Sequence, residues 1–461
     1  MTQFTLDELQ FATGGDWHRK ISPSLIVSGI KTDSREDCRG VLFLALAGEK
    51  FDAHNFLTNV VNSGAAALCI NQAAIDKINP LWDIPVLVVP DTVTALQHLA
   101  RHHKRRLNIK TIAVTGSMGK TSVKEIIRSI LIASAGIDAV HATIGNTNNQ
   151  IGVAQNLLML NSGHLYAVIE MGTNHHGEIE PLSCCAEPDI AVVASIGPCH
   201  LEFLGDLNGV AREKSKIFSG LHQDGIAVIP ESCPGMDILE NAAGKFRQLR
   251  FGKSSADVKV DYLGGKLHGS TIKLSIPNHP TAQVIDWKLS GAHQALNAAA
   301  AAAAAVALGI SIDAIAAGLT SCTLPGMRMK ISEINGITWI NDAYNANPGS
   351  MIAAIAWLAE FAEPEKLVLV LGDMLELGES SAAEHCRVIK TAACTFPNAV
   401  ICLIGKQMST AAKELKSRQD IIVCADSNAA KQQLMPLLKP GTTVFLKGSR
   451  GMHLETIEPV L

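Results

Sequence analysis

The sequence predicts an α/β fold of three domains built mainly on parallel sheets, and three observations point there. The chain has 461 residues, enough for about three cores of roughly 150 residues each. Short apolar runs alternate with longer helix-patterned stretches along its whole length, the signature of strands joined by crossover helices. One run, Thr111–Thr115, opens into a glycine loop and then a helix pattern, the local order that a phosphate cradle requires.

Taken in order, the first region offers strands at Val41–Leu46, Ala65–Ile70 and Val86–Val89, then Pro90 and a helix from Asp91 to Arg106. The second opens with Thr111–Thr115 and continues through Tyr166–Glu170 and Ile190–Ala194. Its alanine run, Ala298 to Ala305, combines high helix propensity with small volume and suits a helix packed closely on its neighbours. The third region holds Leu367–Leu371, Val400–Ile404, Ile421–Cys424 and Thr442–Leu446. A boundary falls near Thr323-Leu324-Pro325-Gly326, where Pro and Gly follow a helix, so the expected segments are 1–90, 91–322 and 323–461.

Composition narrows the function. With 47% hydrophobic and 18% charged residues, globular structure is expected. Only 4% of residues are aromatic and the formal charge is −4, so neither a base-stacking platform nor a global attraction to nucleic acid or anionic membrane is expected. Anion binding must come from local sites. The run Arg101-His102-His103-Lys104-Arg105-Arg106 reads as a solvated helix end. Eleven cysteines, including adjacent Cys184 and Cys185, form no C-x-x-C pair and suit reduced thiols in a cytosol. The opening MTQFTLDELQ lacks a basic and an apolar region, so no signal peptide is expected, and Ala298–Ile310 is too short for a membrane span. A cytoplasmic monomer with no nucleic-acid partner and no stable membrane insertion is the expectation.

The segment Thr115-Gly116-Ser117-Met118-Gly119-Lys120-Thr121-Ser122 is the candidate phosphate loop. Its glycines let backbone N–H groups approach phosphate oxygens, the following helix N-terminus adds positive potential, Lys120 can bridge terminal phosphates, and Thr121 can ligate Mg²⁺. The usual G-x-x-x-x-G-K-[ST] spacing fails because Val114 stands at the first glycine position. The variant T-G-x-x-G-K-T-[ST] resembles the ATP loop of Mur ligases and folylpolyglutamate synthetases.

Further segments extend that resemblance over nearly the whole chain. Glu170 closes an apolar strand, where ligands of open α/β sheets collect; His200-Leu201-Glu202 and Ala211–Phe218, containing Lys214, follow in the Mur ligase order. Alone, each is more readily a solvated or satisfied residue than a functional one. The resemblance implies that Glu170, His200 and a carbamylated Lys214, with Thr121, arrange two Mg²⁺ ions, and that Lys120, Glu170, His200 and Lys214 serve catalysis. A carbamate supplies an anion where an ammonium would repel the metal.

Gly291–Ala298 resembles G-x-H-N-x-x-N-A with Gln294 in place of Asn, Leu324–Arg328 resembles a P-G-R segment with one residue inserted, and Asn341–Pro348 resembles D-x-Y-N-A-N-P. The resemblance assigns Asn297, Arg328 and Asp342 to ATP, along with the phosphate loop. It assigns Asn146, Asn148, Asn149, Tyr344, Asn345, Asn347, Lys447, Ser449 and Arg450 to substrate. Gly145–Gly152, Glu170–Ile179, Gly372–Gly378 and Lys447–Arg450 are similar to the branch that adds D-alanyl-D-alanine, and the D-N-P-R motif of diaminopimelate-adding relatives is absent. Thr32, Ser34 and Arg35, with Gly48–His54, resemble its UDP-sugar segment.

The resemblance thus implies a UDP-binding α/β domain, a central P-loop ATPase-like domain with a mainly parallel sheet, and a C-terminal Rossmann-like domain. The implied reaction is ATP-dependent addition of D-alanyl-D-alanine to a UDP-N-acetylmuramoyl-tripeptide. Another Mur-type or polyglutamate amide ligase is the same-class alternative. A nucleotide switch is disfavoured by the absence of N-K-x-D, and a non-catalytic scaffold by the retained Lys120, Glu170, His200 and Lys214.

Overall fold

The apolar runs assemble into three principal sheets in the computed structural model, which describes residues 3–19, 24–48, 51–415 and 420–459. The first sheet runs in the order Asp16–Arg19, Val86–Val89, Ala67–Asn71, Leu42–Leu44, Ile30–Lys31. Its last four strands are parallel, and Asp16–Arg19 lies antiparallel at the edge. A small antiparallel pair, Phe4–Thr5 with Ile26–Val27, sits beside it.

The central sheet has nine strands, ordered Gln283–Trp287, Gly269–Ser275, Val258–Lys266, Arg247–Gly252, Ile226–Pro230, Ile190–Val193, Lys110–Thr115, Tyr166–Glu170, Val140–Ala142. From Val258–Lys266 onward the pairs are parallel; the two strands beyond it are antiparallel. From Lys110–Thr115 the chain moves toward one edge, and from its neighbour Ile190–Val193 toward the other. That reversal leaves a crevice outside their carboxyl ends. The alanine-rich helix Ala292–Ala307 covers one face, with Ala298 through Ala305 buried. Its neighbour Lys120–Ala135 also packs against Ile312–Ser321, where a Cβ at Gly318 would overlap the Ile130 backbone. Small side chains are therefore what allow this layer to close on itself.

The third sheet is ordered Lys330–Ile334, Ile337–Asn341, Thr443–Lys447, Leu367–Gly372, Val400–Ile404, Ile421–Cys424, and is parallel except for its first hairpin. Its last four strands match the expected runs to within a residue, whereas the hairpin of Lys330–Ile334 and Ile337–Asn341 was not expected. Among the described residues no helix is long and apolar enough to cross a membrane.

The basic run needs correction. Helix Thr92–Arg105 is packed between the first helix, Leu6–Thr13, and the central helices Gln150–Leu158 and Ile179–Ala186. Its end is therefore not simply solvated. Lys104 is buried and donates to the Glu187 carbonyl at 2.8 Å, and His103 reaches the Leu160 carbonyl at 2.8 Å. Arg105 pairs with Glu187, while Arg106 donates to Glu8 at 3.1 Å and covers the Phe4 ring at 4.7 Å. A helix covered on two sides has to find protein partners for its last turn.

Candidate active site

The loop after Lys110–Thr115 and the loop after Ile190–Val193 interlock at the crevice. Ser117 N–H donates to the Ser195 carbonyl at 2.9 Å, and Met118 N–H to Ser195 Oγ at 2.9 Å. The Ser117 hydroxyl donates to the Gly197 carbonyl and accepts from the Gly197 N–H, both at 2.9 Å. Thr115 is buried and donates to the Met171 carbonyl at 2.9 Å. Gly119 begins the helix with a φ of 79°, and a side chain there would strike Asn297, so glycine is required for both reasons. Lys120 folds back onto the Gly116 carbonyl at 2.8 Å, with its ammonium in the cleft. Asn297 donates to Gln294 at 2.9 Å, so the amide that departs from the usual motif still orders its neighbour.

Glu170 is almost fully buried at the end of its strand. Its backbone N–H donates to Thr143 Oγ1 at 2.9 Å, its Oε1 accepts from Asn148 at 2.9 Å, and its Oε2 has no hydrogen-bond partner. Lys214, wholly buried on helix Leu207–Ser215, also leaves its Nζ without a partner. Burial pushes its pKa down to about 8, with Lys120 adding repulsion against opposing pulls from Cys199 and Glu213. A buried carboxylate oxygen and a buried amine, both orphaned, are the two irregularities that a metal and a carbamate would relieve. Among the described residues, no three His, Cys, Asp or Glu side chains form a metal cluster.

The facing wall comes from the third sheet. Arg328 lies over the Tyr344 ring at 3.7 Å and donates to the Thr121 hydroxyl at 3.1 Å. Lys447, buried at its strand end, pairs with Asp342, which follows the neighbouring strand. Asn345 accepts from the Ala346 N–H at 2.9 Å, and Asn347 caps helix Pro348–Leu358 while reaching the Ser117 carbonyl at 3.4 Å. Ser449 accepts from the Leu375 N–H at 3.0 Å, and Arg450 pairs with Glu455 at 2.9 Å. His200, at a φ of 50°, meets Glu376 across the cleft, and that hydrogen bond holds the Glu376 carboxyl below its usual range.

These groups line one cleft of about 1040 Å³ between two opposed carboxyl edges. Asn146, Asn148 and Asn149 line it too, although Asn149 also caps helix Gln150–Leu158. Lys214, Thr115 and Gly116 sit behind its surface, and Thr32, Ser34 and Arg35 lie outside it. Thr32 accepts from Gln155 at 3.0 Å, and Arg35 is exposed beside Asp33 at 2.6 Å. Within Gly48–His54, Glu49 and Lys50 lie outside the described residues, while Asp52 holds Lys77 at 2.7 Å and His54 at 2.6 Å.

Models of the Mur ligase middle domain and of the Mur ligase, glutamate ligase domain match residues 114–305 and 327–450. The chain belongs to the Mur ligase family. It is 35% identical to the UDP-N-acetylmuramoyl-tripeptide--D-alanyl-D-alanine ligase of Escherichia coli (strain K12), across 99% of this chain and 98% of that one. The ligase of the same name from Bacillus subtilis (strain 168) is 33% identical, across 94% and 92%. Among solved structures, MurF from Acinetobacter baumannii superposes with a TM-score of 0.89 at 34% identity, covering 99% of this chain and 98% of that one. MurF ligase from Thermotoga maritima in complex with ADP gives 0.81 at 26% identity, covering 93% and 96%.

Several residues in or behind this Mur ligase cleft were not singled out by sequence reasoning. Glu376 stands inside the quoted Gly372–Gly378 signature, but its meeting with His200 is a contact between residues 176 positions apart. Glu178 and Glu213 organise the loop that follows Glu170. Burial alone would raise the Glu178 pKa, yet N–H donors from Asn174 and His175 leave it lowered. Glu213 accepts from the N–H groups of Gly177, Glu178 and Ile179 at 2.8, 2.9 and 2.9 Å.

Proposed function

We propose that this Mur ligase joins D-alanyl-D-alanine to UDP-N-acetylmuramoyl-tripeptide, converting ATP to ADP and phosphate and yielding UDP-N-acetylmuramoyl-pentapeptide for peptidoglycan synthesis. The observation that carries this reading is the cleft itself: Lys120, Thr121 and Glu170 on one sheet edge face Arg328, Asp342 and Lys447 on another. It is supported by full-length likeness to relatives of that name.

A carboxylate is a poor electrophile, so activation precedes amide formation. The γ-phosphoryl group of ATP passes to the terminal carboxylate of the tripeptide, giving an acyl phosphate and ADP. Lys120 and the N–H groups of Gly119 to Thr121, at the start of helix Lys120–Ala135, draw charge off the phosphates during transfer. Arg328 and Asp342 hold the nucleotide from the opposite side, with Asn297 behind the loop. The amine of D-alanyl-D-alanine then attacks the acyl carbon, the C–O bond to phosphate breaks, and the amine proton is released. The interdomain cleft limits access of water to the acyl phosphate.

Thr121, Glu170 and the carbamate of Lys214, with His200 nearby, are the proposed holders of two Mg²⁺ ions. Magnesium supplies charge neutralisation at the transferring phosphoryl group. Burial lowers the Lys214 pKa to about 8, which raises the share of free amine that can bond to CO₂ and lose a proton to form the carbamate. Asn146, Asn149, Tyr344, Asn345, Asn347, Ser449 and Arg450 are the proposed substrate contacts within the cleft, and Thr32, Ser34 and Arg35 those of the uridine end. The proposed domain division is 1–90, 91–322 and 323–461, in a cytoplasmic monomer.

The test uses tripeptide substrate labelled with ¹⁸O in its terminal carboxylate. One labelled oxygen should appear in released phosphate when D-alanyl-D-alanine and ATP are both present. Amide formation with unlabelled phosphate would overturn the acyl-phosphate reading.

A further inference from the structure

Resting on that reading of Glu170 as a metal-holding carboxylate, we infer that Asn148 is a positioning residue for Glu170 and not a contact to substrate. Both donor directions of its amide are committed inside the protein, to Glu170 Oε1 at 2.9 Å and to Asn146 Oδ1 at 3.2 Å. Its backbone is held as well: Asn148 N–H donates to the Asn146 carbonyl and Gly172 N–H donates to the Asn148 carbonyl, each at 2.9 Å. Asn148 is half-buried, whereas Asn146 and Asn149 on either side are exposed. The middle asparagine of the loop thus faces inward as its neighbours face out.

The consequence falls on the carboxylate. Asn148 occupies Oε1, leaving Oε2 as the oxygen with no protein partner. The peptide N–H of Glu170 is fixed on Thr143, whose carbonyl accepts from buried Lys124 at 2.8 Å. Strand, side chain and free oxygen are then set before any ligand arrives. Hydrogen-bonded supports of this kind orient ligating carboxylates, and removing them typically lowers metal affinity about 10- to 100-fold. Gly172 belongs to the same device: a Cβ there would sit 2.7 Å from Asn148 Oδ1 and 2.8 Å from its Cγ. Any side chain at position 172 would push the amide off Glu170.

The experiment measures Mn²⁺ binding to the full chain with ADP by electron paramagnetic resonance, where no turnover intervenes. Asn148→Ser removes the amide without adding charge, and Gly172→Ala displaces it while leaving both functional residues intact. Each should raise the Mn²⁺ dissociation constant about 10-fold or more, raise the Mg²⁺ requirement of the reaction, and leave the KM for D-alanyl-D-alanine within about twofold. Circular dichroism establishes that each variant is folded, and either folded variant suffices. Unchanged Mn²⁺ affinity in both, or a raised dipeptide KM at unchanged Mn²⁺ affinity, overturns the inference. Glu170→Gln separates the two levels. If it loses Mn²⁺ while Asn148→Ser and Gly172→Ala do not, only the positioning role fails; if it also keeps Mn²⁺, the metal role of Glu170 fails with it.

Discussion

A lysine with no hydrogen-bond partner in a protein interior is a stability cost on the order of a few kcal/mol unless it is neutral or paired. Lys214 is in that position. Lys214→Met should therefore abolish ligation while leaving the melting temperature at neutral pH equal to or above that of the wild type; a clearly lower melting temperature would show that the ammonium stabilises the fold. Lys120→Ala should lower kcat by about 10³-fold or more in steady-state assays if, as proposed, its charge serves the transferring phosphoryl group. Near-normal kcat would remove the phosphate-loop assignment. At this scale, what was legible was local: the order Thr115–Ser122 marks a strand, glycine loop and helix start, which the structure forms even though Val114 breaks the usual spacing. The pairs Lys447 with Asp342 and His200 with Glu376 were not, because each forms only when distant strand ends converge.

Elements were legible where burial is complete. Ile190–Val193 and Leu367–Gly372, buried along their whole length, fall within a residue of their apolar runs, since strands of a covered parallel sheet are apolar on both faces. The antiparallel strands Gly269–Ser275 and Gln283–Trp287, at the margin of the central sheet, mix polar and apolar residues and gave no such run. The basic helix end was misread because a charge run looks solvated until its neighbours are known. A prediction belongs to the strand Val140–Ala142. Burial pushes His141 down to about 4, though its bond to Asn156 opposes the shift. Between its unfolded value near 6.5 and about 4, the unfolded chain binds a proton that the folded chain refuses, so stability falls as pH falls through that window. His141→Gln should lessen the loss between pH 6.5 and 4.5 by on the order of 2 kcal/mol, measured as the difference from wild type in urea unfolding. Parallel pH profiles for the two proteins would contradict it.

In the whole molecule, the first sheet is not an independent appendage. Phe4, Leu6, Leu9, Leu44 and Leu87 share one apolar core with Leu99, Leu157 and Ile169. Removing residues 1–90 would expose that core, so the uridine assignment is better tested by a surface substitution. Arg35→Ala should raise the KM for the UDP substrate several-fold with the KM for ATP unchanged; an equal rise in both would contradict the division of labour. The three-sheet organisation was legible from length and alternation, but the facing of two carboxyl edges was not, because no local pattern records how one sheet is turned toward another. The most direct measurement of the account is product mass spectrometry on the purified chain with ATP, Mg²⁺, UDP-N-acetylmuramoyl-tripeptide and a panel of amines. Pentapeptide formation with D-alanyl-D-alanine, and little or no product with meso-diaminopimelate, glutamate or free D-alanine, is the expected result. Preferred ligation of any of those three would contradict it.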